Sequence, residues 1–461
     1  MPQPHTVRLS STYRRKVGVS SVLSQLMEWY DFQLFGLASV LVFPALFFPE
    51  AGRTGAVLLS FAGLAVGFMA RPLGALIFGH LGDTVGRKTV LMITLSLMGG
   101  ATFVMGLLPT AVAIGGWAPV LLVLLRVLQG VGVGGEQGGA TLMMVESAPP
   151  RRRGFASGVM ETGEFMGLLI ATGLFTLLTV ALPHEQFLSW GWRVPFLISA
   201  AIAIFGLWIR TRLMDTPAFE EAKADGLLAE RPLSELFKVG KRSMLLSVAL
   251  RLFETGSGFL IVTFSLSYAT DNAGVSESVS TAGVMIASAV SIVCIPFYGY
   301  LGDKFGRKIV FCGGMIFLLI AIWPFFLVID TRSTPLILLG YALLYAFGSA
   351  PLLGVEFAWI AELFPTNIRF SGLSIGFQIG AILGGGIAPF LATLLVSAAH
   401  GSLWLVMLYL LLLWSISMVA VVKAPDTYRS ELAATAAAVD HAGGTTEDAA
   451  AEVRDEKKSG A

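Results

Sequence analysis

Apolar residues along this chain run in long blocks, broken by short polar islands, with neither strict alternation nor a one-sided helical stripe. About 20 consecutive apolar residues cross a bilayer as a helix. Twelve blocks reach that length, at roughly 20–48, 55–80, 89–108, 118–144, 155–182, 192–210, 243–270, 279–301, 309–329, 335–360, 370–397 and 402–423. Gly and Pro inside several blocks fit this reading, because membrane helices tolerate both better than soluble helices do. The pattern predicts an all-α membrane protein of twelve transmembrane helices.

Composition sharpens this picture. Of 461 residues, 55% are hydrophobic and 13% charged, with a mean hydropathy of +0.77. Soluble domains carry about 25% charged residues. The net charge of +1 offers nothing to nucleic acid. The opening MPQPHTVRLSSTYRRKVGVS lacks the apolar core and cleavage site of a signal peptide and reads as a basic arm. Cys294 and Cys312 both lie in apolar runs and are expected to pack rather than pair.

Charge is informative by position. Arg14, Arg15 and Lys16 fall on the same side as Arg87, Lys88, Arg151, Arg152, Arg153, Lys241, Arg242, Lys304, Arg307, Lys308 and Arg369 if twelve spans are threaded in order. The opposite loops hold only Arg53, Arg193 and Arg332. This asymmetry predicts that both termini are cytoplasmic. The domain reading is a cytoplasmic arm (1–19), a six-helix bundle (20–210), a cytoplasmic linker (211–242), a second six-helix bundle (243–423) and a disordered cytoplasmic tail (424–461).

GHLGDTVGRK (Gly79–Lys88) returns as GYLGDKFGRK (Gly299–Lys308), and ESAPPRRR (from Glu146) is echoed by ELFPTNIR (from Glu362) at nearly the same offset. Positive-inside bias alone needs only Lys and Arg. It does not demand that Gly79, Gly82, Asp83, Gly86, Arg87 and Lys88 recur in order as Gly299, Gly302, Asp303, Gly306, Arg307 and Lys308. The chain therefore reads as two pseudo-symmetric six-helix halves of the same orientation, an arrangement of transporters that rock about a midplane site. The glycines permit tight turns and close helix approach. Asp83 and Asp303 suit a helix N-terminus or an arginine, worth about 0.3–1 kcal/mol each and up to about 2 when partly buried. Contacts of that size fit gates that open and close. Neither copy matches a phosphate-binding loop.

These residues resemble the major facilitator superfamily, whose loop between spans two and three carries G-x-x-x-D-x-x-G-R-K. LRVLQGVGVGGEQGG (Leu125–Gly139) is similar to its R-x-x-Q-G-x-G pattern. More narrowly, MEWYDFQLFG, ARPLGALIFGHLGD, RVLQGVGVGGE, RTRLMDTPAFEE and FPTNIRFSGLSIGFQIG resemble the metabolite:proton symporters. Asp215 stands where that family more often has Glu, and span five lacks the G-P-x-x-G-G element of drug:proton antiporters, which favours symport. The resemblance implies proton coupling for Arg126 and a cavity position for Glu136.

Charges inside a membrane span cost about 2.5–3.5 kcal/mol on insertion scales, so each is a functional candidate. Glu28 and Asp31, three apart, share a helical face. With Glu136 they are the proton-coupling candidates; the alternative is that they anchor span one to a neighbour's arginine. Tyr30, Arg126, Arg251, Glu254 and Gln378 are the substrate-binding candidates, Arg251 and Glu254 forming either an ion pair or a competed carboxylate site. Glu161, Glu164 and Glu356 rank below these, and Arg71 reads as structural or gating. The gate residues are Gly79, Asp83, Gly86, Arg87, Lys88, Gly299, Asp303, Gly306, Arg307 and Lys308.

No His or Cys spacing suits a metal, no catalytic constellation is present, and no cofactor is expected. The combined reading is a monomeric, multi-pass inner-membrane protein among lipids, no enzyme, taking up a small organic acid with protons by alternating access. Its competitors are a proton symporter of a zwitterion such as proline or betaine and a receptor that has lost turnover.

Overall fold

A computed structural model of the protein describes residues 10–226 and 232–428. Twelve long helices order the described chain: α1 (Ser11–Leu41), α2 (Gly52–Thr84), α3 (Arg87–Leu107), α4 (Trp117–Ser147), α5 (Arg153–Ala181) and α6 (Arg193–Thr211), then α7 (Lys241–Thr270), α8 (Glu277–Phe305), α9 (Arg307–Asp330), α10 (Thr334–Glu362), α11 (Arg369–Ala398) and α12 (Trp404–Lys423). No strand occurs among the described residues. Eleven of the helices are long and apolar enough to cross a membrane. The exception is α1, whose 31 residues carry Gln25, Glu28, Asp31 and Gln33 on top of its basic first turns.

α1 starts earlier than its apolar block. Ser10 is extended and its Oγ accepts a hydrogen bond from the Tyr13 amide, a side-chain cap that pulls the arm residues from Ser11 onward into the helix. It also ends earlier, at Leu41, and a separate turn at Phe43–Leu46 carries Pro44 near its start. Proline has no amide hydrogen to continue the ladder of the preceding turn. The linker contributes two short helices, Pro217–Ala224 and Pro232–Lys238. Of the expected disordered tail, all beyond Tyr428 lies outside the described residues.

α1 packs on α5, α2 and α3 on α4, and α3 on α6; in the second six, α7 packs on α11 and α12, and α8 and α9 on α10. The two sixes meet along α5 with α8 and α10, and along α2 with α11. Small residues allow this closeness. A β-carbon on Gly299 would lie 2.3 Å from the Gly154 carbonyl oxygen, and one on Gly154 would lie 2.5 Å from the Gly299 oxygen. Short π turns interrupt α7, α10 and α11, at Leu260–Phe264, Tyr345–Ser349 and Ile382–Gly386. Such turns loosen the regular ladder at points where helices bend.

Candidate functional site

The repeated loops close one end of the molecule. Asp83, at the last turn of α2, accepts hydrogen bonds from the amides of Phe370 (3.0 Å) and Ser371 (2.9 Å), at the N-terminus of α11. Asp303, at the last turn of α8, does the same to Gly154 and Phe155 at the start of α5, both at 2.8 Å. Each aspartate thus caps a helix of the opposite six, where backbone donors and the helix dipole both favour a negative charge. Gly86 (φ 127°) and Gly306 (φ 109°) turn the chain between paired helices, a conformation that L side chains rarely adopt.

The second echo joins the same end by exchange. Glu146 binds Arg369 of the other echo at 2.9 Å and sits 3.6 Å from Arg87 of its own six. Glu362 binds Arg307 of its own six through two hydrogen bonds of 2.9 Å and sits 3.7 Å from Arg153. Each E-x-x-P-x-x-x-R copy therefore offers its glutamate to the other copy's arginine, and all these side chains are buried. The Lys88 ammonium donates to the Thr211 carbonyl oxygen, and that of Lys308 to the Val422 oxygen.

A third echo escapes the sequence reading. After α6, Asp215 accepts the Arg87 amide at 2.9 Å and the Thr216 hydroxyl donates to Glu146 at 2.5 Å. After α12, Asp426 accepts the Arg307 amide at 3.2 Å and the Thr427 hydroxyl donates to Glu362. Asp-Thr is only two residues, too short to stand out until the longer echoes fix the register. Burial pushes the Asp215 carboxyl above the usual range, opposed by the amides that it accepts.

Inside the first six, a small cavity with room for about one water molecule is lined by Glu28, Asp31, Phe32, Gly67, Arg71, Arg126 and Gln129, among others. Glu28 and Asp31 do not bond to each other. Glu28 faces Arg71 at 3.4 Å, and Asp31 accepts from the Thr102 hydroxyl at 2.7 Å. Arg126 donates to Gln129 and lies over the Phe35 ring at 4.4 Å, with no carboxylate within 4 Å among the described residues. Arg71 thus lines the cavity and contacts Glu28.

Two candidates lie elsewhere. Glu136 is buried against Arg210 of α6 at 2.5 Å and accepts from Thr94 of α3, so it is spent inside the helix packing. Tyr30 is buried and donates its hydroxyl to the Pro195 carbonyl oxygen at 2.7 Å, facing α6 instead of the cavity. Arg210, which also reaches Ser24 and the Leu91 carbonyl oxygen, was not among the candidates because it reads as an ordinary basic residue at a span end.

In the second six, Arg251 binds Glu254 at 2.9 Å and Glu356 of α10 at 2.8 Å, and lies 5.1 and 5.2 Å from the ring centres of the contacting pair Phe357 and Phe377. The internal ion pair is present, extended by Glu356. Gln378 is buried with its Oε1 unpartnered. Cys294 and Cys312 are free thiols, and no group of three or more His, Cys, Asp or Glu among the described residues suits a metal ion.

Residues 17–239 match the family model described as "Sugar (and other) transporter", and residues 246–448 match that of the Major Facilitator Superfamily. The shikimate transporter of Escherichia coli K12 is 36% identical over 430 residues, covering 93% of this chain and 98% of its own. An inner membrane metabolite transport protein of the same strain is 36% identical over 428 residues (91% and 96%). The proline/betaine transporter of Salmonella typhimurium LT2 is 34% identical over 439 residues (92% and 86%). A solved proton:xylose symporter bound to 6-bromo-6-deoxy-D-glucose shares the fold, with a TM-score of 0.73 at 18% identity over 91% of this chain and 97% of that one. With its two echoing sixes and full-length relatives among transporters rather than enzymes, this multi-pass membrane protein belongs to the major facilitator superfamily.

Proposed function

We propose that the protein takes up a small organic acid together with protons. Residues 20–210 and 243–423 act as two rocking units, and the closed end carrying the repeated loops faces the cytoplasm together with both termini. The observation that carries this reading is Arg126. It is buried, has no carboxylate within 4 Å among the described residues, and shares the lining of one cavity with two acids. A guanidinium in that position suits a substrate carboxylate, which it can grip bidentately. Glu28 and Asp31 beside it suit the proton role: protonated, they leave the arginines free for an anion; ionised, they compete for them. A full-length relative named as a shikimate transporter supports the substrate class. The cell setting consistent with these relatives is the inner membrane, with the chain acting as a monomer among lipids.

A zwitterionic substrate is the second reading, favoured by one feature. Arg251, the other buried arginine of the candidate set, is already paired with Glu254 and Glu356, both through Nη1, and relatives named as proline/betaine transporters cover most of this chain. Uptake into proteoliposomes with an acid exterior separates the two, using shikimate, 2-oxoglutarate, citrate, an aromatic acid, proline and betaine, each with and without a protonophore. Accumulation of an acid that collapses with the protonophore supports the first reading. Accumulation of proline or betaine alone moves the case to the second, and uptake indifferent to the protonophore overturns both.

A further inference from the structure

Four buried carboxylates face one another at the seam between the two sixes, outside the Arg126 cavity. Glu161 and Glu164 lie three apart on α5; Glu254 lies on α7 and Glu356 on α10. Glu161 and Glu356 have no exposed surface, and the other two are more than nine-tenths buried. Their shared cation is Arg251, held at 2.9 Å from Glu254 and 2.8 Å from Glu356, and Glu161 and Glu164 are within its electrostatic reach. The remaining groups that face the cluster are Gln25 and Glu28 on α1, Arg71 on α2 and Tyr345 on α10. Arg71 is already matched with Glu28 at 3.4 Å.

The charges do not balance. Four ionised glutamates against one guanidinium would leave three uncompensated negative charges in a membrane interior, which is costly for each. Hydrogen bonding does not rescue them. Glu161 accepts from Gln25 through Oε1, but its Oε2 is buried without a partner, and Glu356 Oε1 is likewise unpartnered. A proton is the ligand that neutralises a carboxylate without any further group beside it.

We infer that Glu161, Glu164, Glu254 and Glu356 form a second proton-loading site, separate from Glu28 and Asp31 and built across the moving seam. The placement gives it a coupling role. Glu161 and Glu164 belong to one rocking unit and Arg251 to the other, so their mutual distance changes as the units move. Near Arg251 a proton on α5 is dispensable in part; away from it the same carboxyl needs one. This rests on the rocking, proton-coupled reading above, and the test separates the two.

The test is an infrared pH titration of the carboxylic-acid C=O band of the full chain in liposomes, with no solute present. In the wild type a protonated-carboxyl band is expected at neutral pH. Glu164→Gln and Glu161→Gln are each expected to remove intensity corresponding to a share of that band and to shift the titration of what remains, whereas Glu28→Gln removes a separate component. A helical circular-dichroism signal equal to the wild type's guards against misfolding of the α5 variants. Loss of intensity at the cluster with uptake that ignores a protonophore would keep the proton site and overturn the symport reading. A band unchanged by all cluster variants, in protein whose uptake still collapses with the protonophore, would overturn the second site and keep symport.

Discussion

Asp83 is fully buried, and its charge is held by two amides of α11 and by Arg87 at 3.7 Å. Asparagine keeps the size but removes the charge that the helix end attracts. A helix-end contact contributes about 0.3–1 kcal/mol, and up to about 2 when partly buried, so Asp83→Asn should weaken closure by up to roughly thirtyfold. Hydrogen exchange at the first turn of α11 should rise in that variant, and uptake should fall with membrane insertion intact. Exchange in Asp31→Asn, which lies in the cavity, should not change there. Unaltered exchange in Asp83→Asn would remove the gating role. At this scale the sequence was partly legible. The spacing that put Glu28 and Asp31 on one face is right for both, since both line the cavity. The same geometry turns about 200° from Glu28 to Tyr30, which accounts for the tyrosine facing α6. Glu136 lies nearly three turns beyond Arg126 and on a different face by about 80°, and there it meets Arg210. Direction around the helix separates these residues, and spacing along it does not.

Contact between helices depends on glycines whose partners are distant in sequence. A β-carbon on Gly134 of α4 would come within 2.0 Å of the Arg71 carbonyl oxygen on α2, and one on Gly130 within 2.1 Å of the Gly67 oxygen. Neither backbone oxygen can move aside as a side chain does. Gly134→Val should therefore separate α2 from α4 and cost at least the 1–3 kcal/mol typical of overpacking, about, lowering the thermal midpoint of the purified protein. Gly100→Val, whose β-carbon would meet nothing within 4 Å, should leave the midpoint in place. Equal midpoints for the two variants would contradict the packing. Apolar blocks predicted eleven of the helices because burial in lipid needs only length and hydropathy, and α1 in spite of its polar residues. They did not predict the ends of α1. Its start depends on the Ser10 cap and its end on Pro44, and hydropathy is blind to both. Nor did they reveal the π turns of α7, α10 and α11, which have no periodicity of their own.

The whole molecule closes one end by a reciprocal exchange. Glu146 gives its charge to Arg369 across the seam, and Glu362 faces Arg153 across it, while each also holds the arginine of its own repeated loop. The internal repeats were readable because both copies of each motif survive in order; the exchange was not, because identical motifs do not say which copy meets which. It has a consequence for the conformational balance. Glu146→Gln takes the Glu146 carboxylate away from buried Arg369 and leaves Arg87 with Asp83 at 3.7 Å, and removing one partner of a buried pair costs about 3–5 kcal/mol. That cost falls on the closed state, because opening lets water reach the arginines. The equilibrium should move toward opening of this end, by more than the change expected for Asp83→Asn. Glu362→Gln likewise takes a carboxylate from Arg307, which keeps Asp303 at 3.1 Å, and from Arg153 across the seam, so symmetry predicts a shift of the same sign. Spin labels on Val85 and Lys241, both exposed on opposite sides of the seam, read it directly: the long-distance population should grow in either variant. Growth in only one would mean that a single half governs the gate, and the pseudo-symmetry would be a matter of descent rather than of mechanism.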